Sequence, residues 1–133
     1  AVLLLEPTSP LRASGDLPGV VRRLLDRWDE VDAVVTVGQV HLEQPGVMKR
    51  LGDDGLLSPW VADAANRDDA AAAWFPYGVA YLVKAGALRQ YRSFYPPRVA
   101  GHPIARWQNY EVDDLFDFLC IESIINHFEG RLP

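Results

Sequence analysis

The sequence predicts an α/β fold, and three neighbouring segments carry the prediction. Residues 1–6 form a short apolar run closed by Glu6-Pro7, and residues 33–37 read Ala-Val-Val-Thr-Val. Between them, residues 16–28 repeat apolar side chains at the spacing of an amphipathic helix. A strand, a helix and a strand in this order predict a βαβ unit with parallel strands and a right-handed crossover. Because the first run is apolar up to its closing Glu6, we expect a central strand buried on both faces.

Turn signals and periodicity delimit the remaining elements. Either Ser14 or Asp16 is the expected N-cap of the first helix. The turn Gly52-Asp53-Asp54-Gly55 predicts a hairpin between residues 47–51 and 56–57. The other predicted elements follow in chain order: a helix or loop at 61–73, a strand at 77–83, a short helix at 85–91, a strand or extended segment at 104–112, and an acid-initiated helix at 114–128. Cys120 falls on the apolar face of this last helix and is expected in the core.

Composition and charge restrict the class of protein. Of 133 residues, 49% are hydrophobic and 23% charged, which is typical of a globular chain and not of a disordered one. Thirteen Lys and Arg stand against eighteen Asp and Glu, and the net charge of -5 argues against a nucleic-acid binder. No apolar run approaches the roughly 18 residues that a membrane span needs. The single cysteine excludes a disulfide framework and favours a reducing, cytoplasmic compartment.

Two polar constellations are the candidates for chemistry, since the scattered histidines and glycines form no metal or phosphate motif. The first follows the first predicted strand, at residues 6–12. Its prolines stiffen a turn that presents the hydroxyls of Thr8 and Ser9, and Arg12 is suited to bind a carboxylate or phosphate bidentately. The same composition is also typical of a rigid strand-to-helix turn with an exposed arginine. Both interpretations stay open here.

The second constellation is Glu111-Val112-Asp113. In an extended segment these two carboxylates face the same side, and Mg²⁺ is held by one or two carboxylates together with water and substrate phosphates. The alternative is that Asp113 is the N-cap of the last helix, with Asp114 and Asp117 complementing the helix dipole. For Asp114 and Asp117 we favour the helix-terminus interpretation.

Aromatic residues form a further group, Trp74, Phe75, Tyr77 and Tyr81. Side chains of this kind line pockets for small molecules. They are also ordinary core residues, and we expect part of the group to be core.

Several of these segments resemble one known family. Residues 4–12, Leu-Leu-Glu-Pro-Thr-Ser-Pro-Leu-Arg, resemble the L-Q-P-T-S-P-L-R signature of the acylneuraminate cytidylyltransferases, the CMP-N-acetylneuraminic acid synthetases. Four further segments are similar to family motifs in the same order: residues 33–37 to S-V-V-S-V, 75–81 to R-P-N-G-A-I-Y, 93–95 to S-F-F, and 111–122 to D-I-D-T-E-L-D-F…A-E.

The resemblance implies a Rossmann-like nucleotidyltransferase fold of three layers that joins CTP to a nonulosonic, sialic-like acid and releases pyrophosphate. It implies Mg²⁺ bound by Glu111 and Asp113, with Arg12 and Asp113 as catalytic residues. The substrate-binding positions that it implies are Glu6, Thr8, Ser9, Tyr77, Tyr81, Phe94, Tyr95 and Gln108. Residues 39–73 correspond to an excursion of the single domain 1–133 that forms a homodimer in such enzymes.

Departures from the family pattern refine the expectation. Tyr77 stands in place of an Asn, Phe75 in place of an Arg, and Glu6 in place of a Gln, which favours a sugar acid other than N-acetylneuraminate. Glu111 in place of Asp keeps the metal-binding charge. The family's first strand and its phosphate-binding loop have no counterpart here, so we expect an incomplete fold and a fragment or truncated homologue. The alternative function is a catalytically incomplete binding or dimerisation module.

Overall fold

The computed structural model describes residues 1–61 and 72–133. The chain divides into two compact units, one built from residues 1–38 and 76–133 and the other from residues 39–75. The predicted excursion 39–73 falls within the second unit. Most of the predicted helix or loop at 61–73 lies outside the described residues.

A four-stranded sheet forms the first unit and a two-stranded hairpin belongs to the second. The elements in chain order are β1 (Val2–Leu4), α1 (Asp16–Asp26), β2 (Ala33–Gln39), β3 (Lys49–Leu51), β4 (Leu57–Pro59), β5 (Trp74–Val83), α2 (Ala85–Tyr91), β6 (Val99–Pro103), a single 3₁₀ turn (Arg106–Gln108) and α3 (Leu115–His127). The large sheet has the order β1-β5-β2-β6. The predicted hairpin is confirmed, because β3 and β4 pair antiparallel around the turn that contains Gly55.

The large sheet is mixed. β2 runs parallel to β6, with Ala33 opposite Val99, whereas β1 runs antiparallel to β5. β5 is also antiparallel to β2, since Lys84 bonds Asp32 at one end of the pair and Ala73 bonds Val40 at the other. β1 and β2 are therefore parallel to each other, as the βαβ pattern predicts, but β5 lies between them.

The prediction that the first strand is central and buried is wrong. β1 lies at the edge of the sheet, and Val2, Leu3, Leu4 and Leu5 are each between 37% and 40% exposed. The apolar run correctly predicts a strand, but it does not indicate which strands lie beside it. Which strands flank a segment depends on long-range pairing, and β5 supplies a neighbour on only one side.

Helices cover both faces of the sheet. One buried cluster joins Val20 and Leu24 of α1 to Val34 of β2, and a second joins Ala87 of α2 to Ala33 of β2. Successive residues of a strand face opposite sides, so Ala33 and Val34 assign α2 and α1 to opposite faces. This helix–sheet–helix arrangement agrees with the predicted α/β class.

The helix boundaries test the predicted caps. α1 begins after Gly15 without a side-chain cap, so neither Ser14 nor Asp16 has that role, and Asp16 instead accepts a hydrogen bond from the Ala13 N–H. α3 begins at the N-cap Asp114, whose carboxylate accepts from Phe116 and Asp117 within a capping box. The helix-terminus interpretation of Asp114 and Asp117 is confirmed, and Asp113 is not the cap.

Two further predictions near the C-terminal part of the chain are corrected. The last strand is β6 at Val99–Pro103, and a 3₁₀ turn follows it, so residues 104–112 form no strand. Cys120 is exposed, because the apolar pattern of α3 goes around the helix and only part of it meets the rest of the unit. No helix in the described ranges is long and apolar enough to cross a membrane.

β5 contains a bulge opposite the middle of β2. Between the two bonds that pair these strands, β2 advances eight residues, from 32 to 40, while β5 advances eleven, from 73 to 84. The buried Thr36 hydroxyl fills this irregularity: it donates to the Tyr77 carbonyl (2.6 Å), accepts from the Ala80 N–H (2.9 Å) and lies 3.0 Å from the Ala80 carbonyl. We refer to residues 77–80 as the bulge.

Replacing Thr36 by valine tests this role. Thr36→Val keeps the shape of the side chain but leaves bulge groups without partners, so the free energy of unfolding should fall by about 1–3 kcal/mol. Urea denaturation followed by circular dichroism measures it. Thr36→Ser, which keeps the hydroxyl, should lose less. Equal stability of Thr36→Val and the unaltered chain would refute the role of the hydroxyl.

Candidate functional site

The backbone of Gly78 lies at the centre of the candidate site. Its N–H donates to Oε1 of Glu111 (2.7 Å), and its carbonyl accepts from the Glu6 N–H (3.0 Å). β1 ends at Leu4, so the Glu111 carboxylate takes the donor that a longer strand would have paired. Bulges of this kind occur frequently beside active sites, where they redirect backbone groups.

The loop after β1 is fixed to the segment around Glu111. The Ser9 hydroxyl donates to the same Oε1 of Glu111 (2.6 Å), and the Thr8 carbonyl accepts from the Val112 N–H (2.8 Å). Ser9 is fully buried. The first predicted constellation therefore folds directly onto the second, although about a hundred residues separate them.

Two carboxylates meet at Gly78. A Cβ atom added there would overlap Oε2 of Glu6 and come within 2.7 Å of the Ser9 Oγ. Glycine is therefore required because Glu6 and Ser9 occupy the space of a side chain. With Glu111 bonded to the Gly78 N–H, we call the group Glu6, Ser9, Gly78 and Glu111 the carboxylate site.

Arg12 holds the loop and the bulge together. Its Nε donates to the Val79 carbonyl (2.9 Å) and one Nη donates to the Glu6 carbonyl (2.6 Å). Partial burial lowers the pKa of the guanidinium, and the Asp16 carboxylate opposes this effect. These bonds fit the rigid turn of the alternative interpretation, but Arg12 is partly buried and not the exposed arginine that it expected. The predicted catalytic role of Arg12 stays a prediction.

An aromatic group adjoins the carboxylates. The ring of Tyr81 contacts those of Phe94 and Tyr95 edge-on, with centroids 6.1 and 6.0 Å away. Burial raises the pKa of Tyr81 well above its ordinary value, and the hydrogen bond to Tyr95 and the charges of Glu6 and Glu111 add to this. Burial, Glu6 and Glu111 also raise the pKa of Tyr95, while the bond with Tyr81 lowers it. Both phenols lie in the field of the carboxylate site.

Other predicted site residues lie elsewhere. Gln108 is buried, and its amide bonds Leu11, Asp16 and the Ala105 N–H, so its place in the fold is structural.

Tyr77 is half-buried and contributes its carbonyl to the Thr36 contact. The side chains of Thr8 and Asp113 are exposed. Of the predicted aromatic group, Trp74 and Phe75 belong to the second unit and are about half exposed.

The residues predicted to bind Mg²⁺ suit that ion in their chemistry. Among the described residues, no group of three or more His, Cys, Asp or Glu side chains is arranged to hold a metal. Mg²⁺, however, is usually held by only one or two carboxylates, with water and phosphate completing its shell. Oε1 of Glu111 already accepts two hydrogen bonds, and the Asp113 carboxylate is exposed.

Two residues of this region were not predicted as functional. Thr36 looks like an ordinary strand residue in the sequence, and its role depends on a bulge in a distant strand. Gly78 gave a usable signal, because an isolated glycine within a strand pattern indicates a bulge or a close backbone approach.

Comparison with known proteins adds no assignment. No model of a known protein family matches the chain, and no curated protein matches it.

Replacing Gly78 by alanine should disrupt the carboxylate site. The new methyl group meets Glu6 and Ser9, so we expect a loss of about 1–3 kcal/mol in the free energy of unfolding. Gly86→Ala is the matched control, because Gly86 lies in α2 with no atom within 4 Å of an added Cβ, and alanine favours a helix over glycine. Chemical denaturation of both variants measures the contrast. A stable Gly78→Ala protein would contradict the close approach.

Alkaline pH should destabilise the protein through the two tyrosines. Above about pH 10, tyrosines of the unfolded chain lose their protons, whereas Tyr81 and Tyr95 keep theirs to higher pH in the folded chain, because their pKa values are raised there. The contribution of these two groups to stability is therefore fully present below about pH 10 and is lost as the pH rises. The loss is at most about 1.4 kcal/mol per pH unit for the buried Tyr81 and less for Tyr95, which is half exposed to screening solvent. Urea denaturation between pH 9 and pH 11.5 measures the slope. Tyr81→Phe should flatten it and the exposed Tyr91→Phe should not. Equal slopes in all three proteins would exclude this cause.

Proposed function

We propose that the protein is a Mg²⁺-dependent cytidylyltransferase that joins CTP to a nonulosonic acid, with a Rossmann-like nucleotidyltransferase fold. In this reaction a sugar hydroxyl forms a bond to the α-phosphorus of CTP, and the bond to the β-phosphate breaks and releases pyrophosphate. The protein would act in the cytoplasm as a homodimer. Its substrates are small molecules, with no nucleic acid or membrane as partner.

The convergence of separate segments carries this proposal. Four segments meet around Gly78 and Tyr81: the loop 6–12, the bulge, the aromatic pair Phe94 and Tyr95, and residues 111–112. Sequence resemblance singled out these segments independently of their position in space. A chance resemblance gives no reason for them to meet, whereas a substrate site requires it.

The residues of the site suit a hydroxyl-rich substrate. Carboxylates accept hydrogen bonds from sugar hydroxyls, and Glu6 is partly exposed. The rings of Tyr81 and Tyr95 provide an apolar wall with polar tips. Because Arg12 is bonded to two backbone carbonyls, it stiffens the loop that carries Glu6. A preorganised loop of this kind lowers the entropic cost of orienting a substrate.

Glu111 and Asp113 would hold the Mg²⁺. The ion, when bound, would offset the charge on the phosphate oxygens. Ser9 and the Gly78 N–H fix one oxygen of Glu111, which orients the carboxylate before a ligand arrives. Asp113 is exposed and is not the cap of α3, so it is available to a ligand.

A specific observation favours the second candidate, a binding module without catalysis. The cation of the loop, Arg12, is engaged with backbone carbonyls, and two of the three side chains that adjoin Gly78, Glu6 and Glu111, are acidic. Such a site suits a polyhydroxylated or cationic ligand more than a triphosphate. The two candidates differ in one measurable step, the release of pyrophosphate.

The test is to incubate the protein with CTP, MgCl₂ and a panel of nonulosonic acids. The cytidylyltransferase proposal expects pyrophosphate release with at least one sugar acid. Asp113→Ala should reduce the rate about a hundredfold or more while leaving urea denaturation unchanged. Asp29→Ala removes another exposed aspartate and should keep full activity.

One outcome would reject the enzyme. It is the absence of pyrophosphate with every sugar acid, together with Mg²⁺-independent binding of the sugars in calorimetry, which favours the binding module. An equal loss of rate in Asp113→Ala and Asp29→Ala would instead reject the specific role of Asp113, because a general charge effect would then explain the result.

A further inference from the structure

A cavity beside α1 lies apart from the carboxylate site. Its volume is about 380 Å³, and it is lined by Gly19, Arg22, Arg23, Asp26, Arg27 and His102. Four of these residues belong to α1, Arg27 is the C-cap of that helix, and His102 belongs to β6. The lining has three guanidinium groups and one carboxylate, in a chain whose net charge is -5. Overall composition therefore does not explain a cationic cavity here.

The three guanidinium groups are only partly engaged within the protein. Arg23 donates one hydrogen bond to the Gly101 carbonyl (2.9 Å), which fixes its side chain beside β6. Arg27 pairs with Glu30 on the surface (2.8 Å). Within residues 1–61 and 72–133, the side chain of Arg22 has neither a hydrogen bond nor an ion pair. Because each guanidinium has five N–H donors, most of the donors around the cavity are available to a ligand.

The part of the cavity lining that His102 forms depends on Gly19. A Cβ atom at this position would lie 2.5 Å from Cε1 and 2.9 Å from Nε2 of His102, so the imidazole packs directly against the helix backbone. Helix interiors disfavour glycine, and here the glycine admits the ring. Nδ1 of His102 is buried and has no hydrogen-bond partner among the described residues. The imidazole is therefore held by packing, as a wall of the cavity.

We propose that this cavity binds the phosphate group of a small molecule. The planar fork of a guanidinium matches two oxygens of a phosphate, and three forks around one cavity suit a doubly charged group better than a single carboxylate. The volume lies in the range of small-molecule sites and exceeds what one phosphate fills. The carboxylate of Asp26, on the same wall as Arg22, accepts a hydroxyl of the body that carries the phosphate.

Titration with inorganic phosphate tests the site directly. Backbone amide and arginine Nε–Hε resonances are followed by NMR at constant ionic strength, with sodium chloride as the reference salt. We expect saturable shifts at Gly19, Arg22, Arg23 and the residues around His102. The carboxylate site should not respond, so the result is independent of the proposed cytidylyltransferase activity.

Two variants identify the groups responsible. Arg22→Gln should weaken phosphate binding about tenfold, as expected for one charge-assisted contact. Its fold should remain intact, because Arg22 has no partner in the described part of the chain. Gly19→Ala should also weaken binding, although it removes no charge, because the methyl group displaces the imidazole. Arg89→Gln, on the exposed surface of α2, is the charge-matched control and should leave the affinity unchanged.

Three results would overturn the proposal. The first is shifts that do not saturate or that spread over all arginines, which would indicate unspecific screening. The second is equal weakening by Arg22→Gln and Arg89→Gln. The third is binding of acetate as tight as that of phosphate, which would exclude the doubly charged group. If Gly19→Ala does not fold, the comparison of Arg22→Gln with Arg89→Gln decides by itself.

Discussion

The hydrogen bonds of the bulge are the constraint on which the candidate site depends. Buried backbone groups that lack partners destabilise a fold by more than a formed bond stabilises it, so an irregular strand needs side chains to replace the missing ladder. Thr36 bonds Tyr77 and Ala80, Glu111 bonds the Gly78 N–H, and Arg12 bonds the Val79 carbonyl. These three side chains come from outside β5, and two of them, Glu111 and Arg12, also belong to the predicted site.

Glu111 and Arg12 each stabilise the bulge and also belong to the predicted site, so the stability of the site and its chemistry depend on the same residues. Glu111 satisfies a backbone donor with one oxygen, and Arg12 fixes the loop that carries Glu6. Replacing either residue would therefore disturb the fold as well as any ligand contact, so a loss of activity alone would not identify a catalytic role. Asp113 avoids this ambiguity because its carboxylate is exposed and does not cap α3.

The sequence predicted the helices and the hairpin better than the surroundings of each element. α2 follows from local periodicity, and α3 from periodicity together with the acids at its start; these signals lie within a few residues of the features they determine. The burial of β1 and the structural place of Gln108 depend on partners far along the chain, β5 in one case and Leu11 with Asp16 in the other. For the site, resemblance indicated which segments matter, but Thr36 carries no local signal.

Helix α1 connects the two charged regions of the first unit. Its first residue, Asp16, accepts hydrogen bonds from Ala13 and Gln108, and Gln108 also donates to the Leu11 carbonyl beside Arg12. Its later turns carry the arginines of the cationic cavity. A change that shifts α1 would thus reach both the end of the 6–12 loop and the cavity. The net charge of -5 does not show this separation, because it adds the acids of one region to the cations of the other although the two groups lie apart in the fold.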